Sequence, residues 1–211
     1  MIKKAIELLG KNKNLHGLFI NSLSVLEFAG ARKIIKSQKA ENIDSEVLSH
    51  ISEEIRHARV LKNIALKMSD GKLSSYKKIH LLAGDEAWNY IQTVDHSIAK
   101  EFETSQPWLN YLYTTLLIEE RAMKVYPLYS EVLEEFGFAS SLKGMIIEEE
   151  NHLSFTRKHI LEGDPQSERR LDKFRKVEGE AFEKFMSSVC TELSILKNKN
   201  SSQDDACAQH I

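Results

Sequence analysis

Apolar residues recur along this chain with a period close to 3.6, in blocks separated by short polar stretches, which is the signature of amphipathic helices. From Leu15 to about Gln38 the stripe consists of Phe19, Leu23, Leu26, Ala31, Ile34 and Ile35. A second predicted helix starts after Asp44–Ser45, a pair suited to capping free backbone amides. It runs through Val47, Leu48, Ile51, Ile55, Ala58, Leu61 and Ile64 and stops at Asp70–Gly71. Lys72 to Glu103 reads as a third, with Leu81, Leu82, Trp88, Ile91, Val94 and Ile98 and a bend at Gly84. Pro107 opens a fourth, carried by Leu109, Leu112, Leu116, Met123 and Tyr126, and Pro127 is expected to kink or end it. The fifth spans Ser140 to Leu161, where Gly163-Asp164-Pro165 stops it. The sixth spans Ser167 to Leu196, with Leu171, Phe174, Val177, Phe182, Phe185 and Val189 on one side. No segment alternates as a strand would. The pattern predicts an all-α fold, a single domain over residues 1–196, and a polar tail over 197–211 without fixed structure.

Composition narrows the class. The chain has 211 residues and a formal net charge of −2, enough length for one well-filled core and too little positive charge for a nucleic-acid binder. No apolar run approaches the roughly 18 residues that a membrane span needs. The opening MIKKAIELLG is interrupted by Glu7, so a signal peptide is not expected and the cytoplasm is the expected compartment. Two cysteines, Cys190 and Cys207, are too few for a disulfide framework or a cysteine-ligated metal.

The informative residues are acidic ones at core positions. Glu27 falls in the first stripe and Glu119 in the fourth, while Glu54 and His57 stand three apart on the second helix and Glu149 and His152 repeat that spacing on the fifth. Buried carboxylates are costly unless paired or bound to a cation. With 23 Glu and 8 His in the chain, chance alone gives about one Glu-x-x-His match, so the pair alone proves little. The order says more: lone Glu, Glu-x-x-His, lone Glu, Glu-x-x-His, each on its own helix. The halves also repeat, with offsets of 92 residues from Glu27 to Glu119 and 95 from both Glu54 to Glu149 and His57 to His152. Two helix pairs related by a pseudo-twofold axis would give that near-constant offset. Four Glu and two His converging from four helices form a donor set suited to two iron ions, with manganese as the other candidate.

This arrangement resembles the ferritin-like non-haem di-iron carboxylate superfamily over roughly residues 15–160, and the resemblance implies a ferritin-like four-helix bundle with additional helices. Within it, LLIEERAMKVYPLY followed by EEENHLSF looks most like the aldehyde-deformylating oxygenases. Glu119, Ala122 and Tyr126 match their Ile-Glu-x-x-Ala-x-x-x-Tyr element, and Glu149, His152, Leu153 and Phe155 match Glu-x-x-His-Leu-x-Phe/Tyr. Glu54-Ile-Arg-His57 is similar to the Glu-x-(Arg/Lys)-His of the second helix. Rubrerythrins share the Glu-x-x-Ala-x-x-x-Tyr element, although no Cys-x-x-Cys pair is present for a fused rubredoxin-type domain. Glu120, Arg121 and Lys124 depart from the oxygenases, where those positions tend to be apolar.

The resemblance implies two irons bridged by Glu54 and Glu149, with Glu27 and Glu119 as terminal carboxylates and His57 and His152 as nitrogen ligands. It further implies O₂ activation and oxidation of a small, apolar organic substrate. Electrons would come from a separate reductase or ferredoxin, since the chain has no dinucleotide or phosphate-binding glycine motif. The other readings are an iron-handling ferroxidase or rubrerythrin-like peroxide reductase, and a bundle whose metal serves structure or protein interaction. A homodimer through the sixth helix is compatible with each.

Several neighbours have a plainer reading. Only one of Glu119 and Glu120 can point inward; the stripe favours Glu119 and leaves Glu120 to pair with Lys124. Glu53, Glu148 and Glu150 sit about 100° from the ligand face and are expected in solvent. His50, one turn before Glu54, is read as a satisfied core or surface histidine ahead of a residue supporting the site. His16 and His96 are expected to be structural, and His159 too distant. Tyr126 suits a hydrogen bond to a ligand carboxylate, a redox-active phenol or simple packing.

Overall fold

In the computed structural model, which describes residues 1–40, 43–102 and 106–208, the described residues fold as a helical bundle of seven α-helices. They are α1 (Ile2–Leu9), α2 (Lys13–Ser37), α3 (Ser45–Met68), α4 (Gly84–Phe102), α5 (Pro107–Leu133), α6 (Ala139–Gly163) and α7 (Ser167–Ala208). No strand occurs among the described residues. Asn12 and Asp44 cap α2 and α3, their side chains accepting from the amides of Leu15 at 3.2 Å and Val47 at 2.9 Å. Short connections make α2–α3 and α5–α6 two helical hairpins, and α4 and α7 pack together beside them.

Phe19, Leu61, Leu112, Leu116, Tyr129, Leu133 and Phe185 are fully buried in one continuous core. Tyr113 donates to Asp164 at 2.6 Å, and Arg170 donates to both oxygens of that carboxylate at 2.7 and 2.8 Å. This knot fastens the α6–α7 turn to α5, satisfying a carboxylate that is only 3% exposed.

Four elements differ from the sequence pattern. The amphipathic N-terminus forms α1, with Ala5 and Leu9 buried. The third helix starts at Gly84, not Lys72. Residues 69–83 instead form turns around a short 3-10 segment, Lys78–His80, because side chains of α2 compete for their backbone. Asn21 donates to the carbonyls of Ser75 at 3.1 Å and His80 at 2.8 Å, and Ser22 exchanges hydrogen bonds with Leu82. Ala83 then adopts a φ of 49°, outside the helical region. The far end of the same predicted helix, Glu103, lies outside the described residues. Pro127 does not end α5; Tyr126, Tyr129 and Leu133, all buried on either side of it, keep the helix packed despite the missing amide. Finally, α7 continues beyond Leu196 to Ala208, since extending a formed helix needs no new nucleus. Residues 209–211 and the Cys207 side chain lie outside the described residues.

No helix among the described residues is long and apolar enough to cross a membrane.

Candidate metal centre

Four helices bring the predicted ligands together. α2 supplies Glu27, α3 supplies Glu54 and His57, α5 supplies Glu119, and α6 supplies Glu149 and His152; all six are buried. They fall into two groups whose ligand atoms lie within 4.8 Å of one another: Glu27, Glu54, His57 and Glu149, and His50, Glu54, Glu119 and His152. Either group could hold a metal ion, and Glu54 belongs to both. His50 was not expected among them. It lies at i, i+4, i+7 register with Glu54 and His57, so one face of α3 presents all three.

Each imidazole has one nitrogen toward the carboxylates and the other held from behind. His57 Nδ1 lies 3.0 Å from Glu149 Oε1, while its Nε2 is hydrogen-bonded to Glu148 Oε2 at 2.7 Å. His152 Nδ1 lies 3.4 Å from Glu119 Oε1, while its Nε2 is hydrogen-bonded to Glu53 Oε2 at 2.6 Å. His50 Nε2 lies 3.1 Å from Glu119 Oε1 and 3.3 Å from Glu54 Oε1, and its Nδ1 is hydrogen-bonded to the Tyr111 hydroxyl at 2.7 Å. Such outer partners fix ring orientation and raise the basicity of the inner nitrogen.

Glu53 and Glu148 therefore correct the expectation of a solvated face. Each precedes its own helix's inward carboxylate by one residue, and each reaches across to the histidine of the opposing helix. Arg56 donates to the same Glu148 oxygen at 2.5 Å. Glu150 is exposed, as the sequence implied. Glu119 points inward, but Glu120 pairs with Arg157 and Arg175 on neighbouring helices rather than with Lys124. His16 is hydrogen-bonded to Tyr129 and to the Gly10 carbonyl, and His159 packs against Phe155 and Trp108; both are structural, and His96 is exposed. Tyr126 is buried in the wall of an adjoining pocket beside Glu27.

The electrostatics show how strongly the carboxylates attract positive charge. Burial raises the Glu27 carboxyl well above the usual range, with repulsion from Glu54 and Glu149 adding to it. Burial also raises Glu119, against the pull of His152 and His50. At Glu149 burial acts upward too, but His152 and His57 outweigh it and bring the group to about 2. Burial alone would depress the imidazoles. Glu119 and Glu54 nevertheless lift His50 to about 9, and Glu119 and Glu149 lift His152 to about 11. The nitrogens thus hold protons for which a divalent cation would compete, releasing them on binding.

Among the described residues, several inward atoms have no aligned hydrogen-bond partner: both oxygens of Glu119, Oε2 of Glu149, and Nδ1 of His57 and of His152. A buried polar atom left this way costs about 1–3 kcal/mol. All of them are acceptors or potential lone-pair donors, the types that transition metals bind. Four carboxylates also match the charge of two divalent cations, so the donor set fits a dinuclear centre.

Two apolar pockets adjoin the cluster. One lies between α2, α4 and α5, lined by Ile34, Ile91, Thr115 and Ile118; the other is lined by Leu23, Leu26, Val125, Tyr126 and Phe182. Gly30, Ile118 and Glu54 border both. A Cβ on Gly30 would lie 3.3 Å from Glu54 Oε2, so glycine here leaves room beside the carboxylate. Arg121 enters the second pocket's wall, but Glu178 accepts from its Nε at 2.8 Å and its Nη2 at 2.7 Å, and its guanidinium lies 4.2 Å from the Phe182 ring centre.

Compared with protein-family models, with curated proteins and with solved structures, the chain matches none.

Proposed function

We propose that this protein is a ferritin-like, non-haem di-iron oxidoreductase that activates O₂ to oxidise a small apolar organic molecule, drawing electrons from a separate donor protein. The observation that carries the reading is a buried Glu/His cluster, built from four helices, whose inward atoms lack partners and whose open side faces apolar pockets. Two irons held by these side chains would supply the one-electron steps that O₂ reduction requires.

The chain's own part is holding, orienting and excluding water. Glu53, Glu148 and Tyr111 fix the three imidazoles, so the inner nitrogens keep their aim. Leu23, Val125, Tyr126 and Phe182 keep the approach to Glu27 and Glu54 dry, which strengthens every electrostatic interaction inside. Arg121 does not make this pocket a site for anions, because its charge is spent on Glu178. Its bulk and that of Phe182 bound the pocket, which favours a short substrate over a long-chain aldehyde.

The test is anaerobic Fe²⁺ loading followed by O₂ uptake against alkyl aldehydes and alcohols of graded length. The reading predicts uptake stimulated by short apolar members of the series. Uptake indifferent to every organic compound, with rapid peroxide consumption, would replace it with the iron-handling or peroxide-reducing reading. A metal-loaded protein inert to both oxidants would favour a structural metal.

A further inference from the structure

The two groups around Glu54 are not equivalent, and the difference lies in His50. One offers two imidazoles and two carboxylates (His50, His152, Glu54, Glu119), the other one imidazole and three carboxylates (His57, Glu27, Glu54, Glu149). We infer that His50 is a seventh metal ligand that makes the centre two unequal positions, a nitrogen-rich one that fills first and an oxygen-rich one that fills second. This rests on the dinuclear reading above.

His50 is built as a ligand would be. It is buried, and its Nε2 lies near one oxygen of Glu119 and one of Glu54. Its ring stands 4.0 Å, centre to centre, from that of His152, whose Nδ1 approaches the same Glu119 oxygen. Its Nδ1 is tied to the Tyr111 hydroxyl, so displacing the Nε2 proton would turn that nitrogen's lone pair toward the carboxylates, as a metal requires. A histidine serving only as packing would not need its inner nitrogen among carboxylates and its outer one tied to a buried phenol. Glu119 supplies the independent sign that something binds here: it is 4% exposed and neither oxygen has an aligned partner.

The chemistry of the donors sets the order. Imidazole nitrogen suits the later first-row divalent ions, and affinity at such a site rises from Mn²⁺ through Co²⁺. Carboxylate oxygen suits Mn²⁺ comparatively well. The His50 position should therefore take Co²⁺ or Zn²⁺ before its neighbour does, and a mixture of Zn²⁺ and Mn²⁺ should sort between them.

Two experiments on the full chain decide this. In a Co²⁺ titration followed by visible absorption, wild type should bind two ions in resolved steps. His50→Ala should weaken the tighter step at least tenfold and leave the other within about twofold, and Tyr111→Phe should weaken the same step less. His57→Ala should weaken the looser step instead. The second experiment needs no variant: with one equivalent of Zn²⁺ and one of Mn²⁺, the Mn²⁺ paramagnetic resonance spectrum should be that of an isolated ion. A coupled Mn²⁺–Mn²⁺ spectrum, or a His50→Ala titration superimposable on wild type, would overturn the role of His50 while leaving two ions per chain. Wild type binding no metal would instead overturn the dinuclear reading and this inference together.

Discussion

Glu119 on α5 and Glu178 on α7 are buried to nearly the same degree, at 4% and 5% exposure, and the bundle treats them in opposite ways. Glu178 accepts two hydrogen bonds from Arg121 and a third from the Tyr90 hydroxyl at 2.8 Å. Its negative charge is answered by a fixed positive one on the chain. Glu119 sits two residues before that arginine, and its nearest positive groups are imidazoles that are out of line with both its oxygens. Three more carboxylates surround it. The same fold supplies a bidentate arginine to Glu178 and none to Glu119, as the proposed metal centre requires. On the proposed reading, what distinguishes carboxylates that hold the bundle together from those that would hold a metal is their partner rather than their burial.

The largest effect expected is at the cluster. Replacing Glu54 and Glu149 together by Ala should abolish metal binding, measured as metal per chain, while the far-UV circular dichroism stays helical. The apolar stripes that form the core do not include either residue. Next comes the structural carboxylate. Arg121→Met should strand Glu178 with Tyr90 alone and cost about 3 kcal/mol in denaturant unfolding, the lower end for breaking a buried ion pair because Arg121 keeps some exposure. Glu119→Gln should act in the other direction, stabilising the metal-free protein by about 1 kcal/mol while weakening metal binding, as expected where stability is given up for function. If both variants destabilised equally, the distinction between the two carboxylates would fail.

Metal addition should sharpen the contrast. A divalent cation at a hundred times its dissociation constant adds about 2.7 kcal/mol of stability, and a chelator should reverse the gain. The smallest effect lies at Asp164. Burial would raise its carboxyl, but Arg170 and Tyr113 outweigh burial and hold it below the usual range. A depressed carboxyl contributes its stability above the ordinary carboxylate pKa and loses it as pH falls through the folded value. Asp164→Asn should accordingly flatten the acid limb of the stability profile and leave metal content unchanged.

Six of the helices and six of the candidate ligands were legible because burial imposes a period and a carboxylate breaks it visibly. Glu27, Glu54, Glu119 and Glu149 each stand where an aliphatic residue should be. His50 was harder, since a histidine on an inward face more often serves the core. Its signal was the His-x-x-x-Glu-x-x-His register of residues 50, 54 and 57, which puts three donors on one face. Glu53 and Glu148 were missed because a residue 100° from the stripe is solvent-facing on an isolated helix. Two such helices side by side bring that flank against the neighbour, and the repeated Glu-Glu-x-x-His at 53–57 and 148–152 was the available sign. The turns over 69–83 could not be read locally, because Asn21 and Ser22, more than fifty residues earlier, bind that backbone. Pro127 misled for the opposite reason: packing on both sides outweighs one missing hydrogen bond.

The proposed chemistry requires the cluster to hold two metal ions. Equilibrium dialysis of the full chain against Fe²⁺ under anaerobic conditions, followed by metal analysis, measures this without assuming a substrate. Two irons per chain, lost together in the Glu54→Ala/Glu149→Ala protein, is the result predicted. One iron or none, or two irons retained by the double variant, would contradict it.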